Sequence, residues 1–196
     1  MVSLALLRHA ETAWSAEGRI QGCRDVPLSE AGRTALAAFA LPEVCRGMRV
    51  ATSPLVRCVE TACLLGARDA LCDPRLVEMH WGEWEGRVLA ELRAELGAPM
   101  RENEARGWDF RPTGGESPRE VWARIRPWLA EIAATGAPTL AITHRGVIRS
   151  VLASATGWDL RGPAPAKLDW GAVHLFSLAA DGTPSVQALN VRHKVQ

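Results

Sequence analysis

Two stretches of this chain, Val2–Leu7 and Pro138–Thr143, are nearly unbroken apolar runs six residues long, and each delivers the chain to a histidine: Arg8-His9 after the first, Thr143-His144 after the second. A continuous apolar run of this length reads as a strand covered on both faces, the usual situation in a parallel sheet packed between helices. The segments between and after them carry helical signals. Ser29 is placed to cap a helix running to about Phe39, with Leu36 and Phe39 inward. Met48–Thr52 returns as a strand, and Ser53-Pro54 opens a further helix with Ser as cap and Pro at its first position. Ser117-Pro118-Arg119-Glu120 combines a capping box with an N-terminal proline, and Val121, Ile125, Trp128, Leu129 and Ile132 mark the buried stripe. Another helix spans Arg145–Ala155, and Ala172–Leu178 and Ser185–Asn190, separated by Asp181-Gly182, form a closing hairpin.

This alternation predicts a three-layer α/β/α fold, a mainly parallel sheet with helices on both faces. Ligands of such folds bind beyond the carboxyl ends of the strands. His9, His144 and Arg57 each follow a predicted strand, so three separate segments converge on one edge. A cap or loop insertion over that edge is expected at about 81–115, where Gly97–Gly115, with two prolines and Gly114-Gly115, has little periodicity and reads as a loop or cap. At 196 residues and 47% hydrophobic content the chain can bury one sizeable core, and one domain over 1–196 is expected.

Lys and Arg number 23 against 22 Asp and Glu, which leaves no excess of positive charge for a nucleic acid. The arginines from 101 to 126, interleaved with Trp108 and Phe110, are diluted by Glu102, Glu104, Asp109, Glu116 and Glu120, so they read as a solvated cap surface. The opening apolar run is too short for a signal core or a membrane span, and the expectation is a cytoplasmic protein without a membrane partner. Cys23, Cys45, Cys58, Cys63 and Cys72 include no C-x-x-C pair and read as reduced thiols. His80, His174 and His193 form no zinc spacing with the other histidines and are taken as structural or exposed, so no metal is expected.

Arg8-His9-Ala10-Glu11-Thr12, with Gln21-Gly22 and Asp25–Gly32 after it, resembles the opening of the histidine phosphatase superfamily, the phosphoglycerate-mutase-like proteins. Four further blocks match in order: Ser53–Ala62; Leu76-Val77-Glu78 with Gly82–Gly86; Gly114–Ser117; and Thr143-His144 with Gly146–Arg149. The resemblance spans about residues 2 to 155. It implies His9 as nucleophile, Glu78 as proton donor, and Arg8, Arg57 and His144 as the cradle of the transferred phosphoryl group. The chemistry suits those residue types. A neutral imidazole attacks a phosphate dianion without charge repulsion, and guanidinium forks match the equatorial oxygens. Glu78 must be held partly protonated to supply the leaving group with a proton.

Ala10, Ser15 and Arg145 depart from the family's usual Gly, Asn and Gly. Ser15 weakens or repositions a phosphate contact, and Arg145 either crowds the pocket or adds a cationic contact. With Gln21 and Gly22 these two are the candidate substrate contacts. The resemblance implies a phosphatase for a small phosphorylated substrate, nearest the α-ribazole and broad-specificity branches, with no cofactor. A mutase, whose acid block typically reads Asn-Glu-Arg-His where this chain has Val77-Glu78-Met79-His80, and a catalytically weak phosphate-binding module are the alternatives. A homodimer is compatible with the sequence, which carries no signal for oligomeric state.

Overall fold

In the computed structural model, which describes residues 1–192, the apolar run at the start becomes β1 (Val2–Arg8), with Leu4, Ala5, Leu6 and Leu7 buried. The later strands are β2 (Arg49–Thr52), β3 (Leu71–Cys72), β4 (Thr139–Thr143), β5 (Val173–Leu178) and β6 (Pro184–Val191). They form one sheet in the order β3-β2-β4-β1-β5-β6. The first four in that order run parallel, and β5 and β6 are antiparallel additions at the β1 side. β4 is buried at every residue, which is what its apolar sequence requires between two helical layers.

The helices are α1 (Ala13–Ala16), α2 (Glu30–Ala37), α3 (Val56–Leu64), α4 (Leu89–Leu96), α5 (Ala98–Glu104), α6 (Pro118–Thr135) and α7 (Arg145–Thr156). The caps read from the sequence hold for α2, where Ser29 accepts from Gly32 N–H, and for α6, where Ser117 and Glu120 close the capping box and Gly136 ends the helix in the left-handed region. All five residues of the α6 stripe are buried. They join β1, β4 and α7 in the main core.

Two local expectations are corrected. α3 starts at Val56 with Leu55 as its cap, because the Ser53 hydroxyl is drawn toward His144 and Asp25 accepts from Val56 N–H at 2.7 Å in place of a local cap. The segment read as a loop over Gly97–Gly115 contains α5 and a short 3-10 turn, and with α4 it encloses a small core of its own, Trp84, Leu92 and Met100. Helices of eight and seven residues broken by Gly97 are too short to show a clear apolar period. β3, two residues with both side chains exposed, gave no pattern to read.

The start of the 81–115 segment is tied by backbone bonds to the loop that follows α1. Gly86 N–H donates to Ile20 C=O at 2.7 Å and Ile20 N–H to Arg87 C=O at 2.9 Å. All five cysteines are free thiols. No helix of the described residues is long and apolar enough to cross a membrane. His193 lies outside the described residues.

Candidate active site

Parallel pairing sets the register of the site. Arg8 lies opposite Thr143 across β1 and β4, and His9 N–H donates to Thr143 C=O at 3.0 Å, so the residues just past each strand, His9 and His144, stand side by side with ring centres 5.3 Å apart. Ser53 leaves β2 in the same way, its N–H donating to Ile142 C=O. Both imidazoles are buried.

His9 Nδ1–H donates to its neighbour's carbonyl, Ala10 C=O, at 2.7 Å. A neutral ring with its proton there keeps the Nε2 lone pair free. Burial, together with Arg8 and Arg57, holds the His9 pKa well below the ordinary histidine value, so the ring is neutral at physiological pH. His144 Nε2 shares a 2.8 Å hydrogen bond with Ser53 Oγ. Burial and the charges of Arg57 and Arg8 depress His144 as well. An anion beside it would offset those charges and favour its protonated form.

Arg57 is fully buried in the first turn of α3, where the helix dipole opposes its charge. It makes no ion pair with a carboxylate of the described residues. Instead two of its terminal N–H groups donate to Arg24 C=O at 2.7 Å and Gly22 C=O at 2.8 Å, and its Nε–H has no partner. The buried Nε–H of Arg8 is unpartnered too, and burial and the neighbouring Arg145 lower the Arg8 pKa to about 10. Two guanidinium groups without carboxylates, beside two neutral imidazoles, make a site shaped for an oxyanion.

Glu78 brings the single carboxyl group of the acid block that faces this site. Met79 N–H donates to its Oε1 at 2.8 Å and Gly146 N–H, near the start of α7, at 3.0 Å. Burial raises its pKa, against the opposing pull of these N–H groups and of Arg57 and Arg8. Gly146 is required here, since a Cβ would stand 2.3 Å from Glu78 Oε1. Glu83 is exposed. Glu85 is committed elsewhere, accepting from Cys23 N–H at 2.9 Å and Trp81 N–H at 3.2 Å, and it fills the space a Cβ on Gly22 would need.

The remaining candidates divide. Gly22 supports Arg57 through its carbonyl, Gln21 is buried and accepts from the Thr12 hydroxyl at 2.8 Å, and the Ser15 hydroxyl closes the capping box of α1 with Thr12. Arg145 is stacked on Trp170. Residues that sequence reasoning missed act behind these: Ser53 on His144, Thr61 accepting from Ala10 N–H at 3.1 Å, and Arg124. Arg124 donates to Arg75 C=O, to Val77 C=O at 2.7 Å and to Glu78 C=O at 3.3 Å while paired with Glu116, and so grips the loop that carries the acid. Its lone arginine signal in the α6 sequence was indistinguishable from those of the solvated face. Several arginines of the 81–115 segment and its flanks are paired, Arg111 with Glu120, Arg119 with Asp109 and Arg93 with Glu104. Among the described residues no group of three or more His, Cys, Asp or Glu is placed to hold a metal ion.

The parallel sheet thus presents at its carboxyl edge two buried histidines and two guanidinium groups that no carboxylate of the described residues pairs, an arrangement suited to an anion. The model of the histidine phosphatase superfamily (branch 1) matches residues 4–192, and the chain belongs to that superfamily. Over 166 residues it is 37% identical to a glucosyl-3-phosphoglycerate phosphatase of Mycobacterium tuberculosis, covering 77% of this chain and 74% of the relative. A 2,3-bisphosphoglycerate-dependent phosphoglycerate mutase 2 of Gloeobacter violaceus is 31% identical over 194 residues, 93% of this chain and 89% of the relative. The solved structure of a mycobacterial glucosyl-3-phosphoglycerate phosphatase in complex with VO3 superposes with a TM-score of 0.79 at 30% identity, covering 97% of this chain and 99% of the other. The chain is a phosphatase of the histidine phosphatase type, a phosphoric monoester hydrolase.

Proposed function

We propose that this protein hydrolyses a small phosphate monoester without a metal, through a phosphohistidine at His9, with Glu78 as proton donor and Arg8, Arg57 and His144 holding the transferred group. The observation that carries this reading is the fully buried Arg57 beside the half-buried Arg8, each with a buried, unpartnered Nε–H and neither paired with a carboxylate among the described residues. A structural arginine buried this deeply would be expected to have a carboxylate partner.

In the first step His9 Nε2 attacks phosphorus. The P–N bond forms as the ester P–O bond breaks, and the leaving alkoxide takes the Glu78 proton. Arg8 and Arg57 stabilise the charge spread over the equatorial oxygens. In the second step ionised Glu78 removes a proton from water, whose oxygen attacks the phosphohistidine, releasing phosphate and restoring both residues. The raised Glu78 pKa and the depressed His9 pKa suit these roles, since the first favours a carboxyl group that keeps its proton and the second a neutral nucleophile.

The test is hydrolysis, in the presence of a chelator, of p-nitrophenyl phosphate and a panel of sugar, nucleoside, glycerate and glucosylglycerate phosphates by the wild type and His9→Ala. Chelator-resistant turnover lost in the variant supports the proposal. Interconversion of phosphoglycerates without net phosphate release would move the chain to the mutases.

A further inference from the structure

Glu85 carries a carboxylate that the proposed chemistry does not use, and its side chain is 4% exposed. A carboxylate buried this deeply persists where hydrogen bonds offset the loss of water. The nearest arginine offsets little of it: Arg24 Nε stands 3.4 Å from Glu85 Oε2, but the Arg24 side chain is 70% exposed, and exposed partners contribute weakly. The bonds that hold Glu85 come from the backbone. Its Oε1 accepts from Cys23 N–H at 2.9 Å and from Trp81 N–H at 3.2 Å, so one oxygen joins two loops that are distant in sequence.

The first of these loops also holds Arg57. Gly22 and Arg24, on either side of Cys23, present the carbonyls that accept from the two terminal nitrogens of Arg57, at 2.8 and 2.7 Å. Arg57 is fully buried and its Nε–H has no partner, so the direction of that N–H is set by where the two carbonyls stand. Both carbonyls flank the N–H that Glu85 holds. Carboxylate and loop are in close contact: Gly22 has a φ of +52°, and a Cβ there would stand 2.0 Å from Glu85 Oε1. On its other side Glu85 is anchored on Trp81, whose ring meets Phe110 edge-on with centres 5.6 Å apart and packs against two apolar clusters.

We infer that Glu85, bridging Cys23 N–H and Trp81 N–H through one buried oxygen, is a positioning residue for Arg57: it fixes the 22–24 loop whose carbonyls aim the guanidinium, and so sets the affinity for the phosphoryl group without touching it. This rests on the proposed role of Arg57 in holding the transferred group. The device needs an accepting oxygen at the right reach, and the negative charge is secondary. Gln keeps that oxygen, Asp keeps the charge but withdraws it by one methylene, and Ala removes both.

Calorimetric titration with inorganic phosphate reads the cradle without turnover. Arg57→Met is expected to weaken binding by about 10- to 100-fold, the loss of a charge-assisted contact. Glu85→Ala should weaken it by about 10-fold, through a misaimed guanidinium. The double variant should bind no more weakly than Arg57→Met alone, because the aim of an absent group has no effect. Glu85→Gln should restore most of the affinity, and Glu85→Asp should follow Glu85→Ala. Losses that multiply in the double variant mark a general loosening of the fold and overturn the positioning role. Wild-type affinity in Glu85→Ala overturns it as well, and so does a loss in Glu85→Gln as large as that in Glu85→Ala. Circular dichroism checks folding; should Glu85→Ala not fold, Glu85→Asp takes its place in the cycle, read by the same outcomes. Phosphate binding that Arg57→Met leaves unchanged overturns instead the cradle assigned to Arg57.

Discussion

At the scale of single residues, the site separates three protonation tasks by environment. Burial and two arginines depress the His9 pKa, burial raises that of Glu78, and burial with the neighbouring arginines depresses that of His144. Glu78→Gln is expected to lower kcat on alkyl phosphates by about 10²–10⁴, the usual worth of a positioned acid, with a smaller change in KM. The loss should be smaller with p-nitrophenyl phosphate, whose leaving group needs little help. In the wild type, activity falls as pH rises through the Glu78 pKa, and Glu78→Gln should lack that limb; pH profiles of kcat/KM for both proteins check this. Glu83→Gln, at an exposed position, should leave the kinetic constants near wild type. A silent Glu78→Gln beside an impaired Glu83→Gln would reassign the acid.

At the scale of elements, the strand ends and the long helix were readable because each carries its own signal. β1 and β4 are apolar throughout, and α6 has a capping box, a buried stripe at regular spacing and a terminal glycine. The ordered motif blocks supplied His9, His144, Arg8, Arg57 and Glu78 as candidates, and the histidines do stand side by side. What escaped the sequence lies in contacts between distant segments: Ser53 bonds His144 as well as the Leu55 N–H at the start of α3, Asp25 caps α3 from another loop, and Arg124 reaches across to the acid loop. The cap helices escaped because their apolar residues, Leu92 and Met100, meet each other only across the Gly97 break. Ser117→Ala should cost about 1 kcal/mol through loss of the α6 cap, read in urea denaturation. Gly146→Ala should strike function harder than stability, since the new methyl displaces the Glu78 carboxyl group. A normal kcat in that variant would show that the placement of Glu78 at the start of α7 is immaterial.

For the whole molecule, the same burial that tunes the site links its stability to pH. His9, His144 and His174 all titrate below their ordinary value in the folded state. The unfolded chain binds protons at these positions below about pH 6.5 while the folded protein does not, so unfolding takes up protons there and stability falls as pH falls. The stability they confer is complete above that pH. The urea midpoint should therefore drop between pH 7.5 and 5.5, with a slope approaching about 1.4 kcal/mol per pH unit for each histidine. A flat midpoint over that range would contradict the neutral state assigned to the buried rings. The sheet, the helices behind it and the cap all converge on one proposed event, transfer of a phosphoryl group to a neutral, buried His9. Rapid alkaline quenching of the enzyme during turnover, followed by mass spectrometry of its peptides, tests that event most directly. The account predicts one added phosphoryl group on the peptide containing His9, absent in His9→Ala; turnover with no modified peptide, or with the group on another residue, would contradict it.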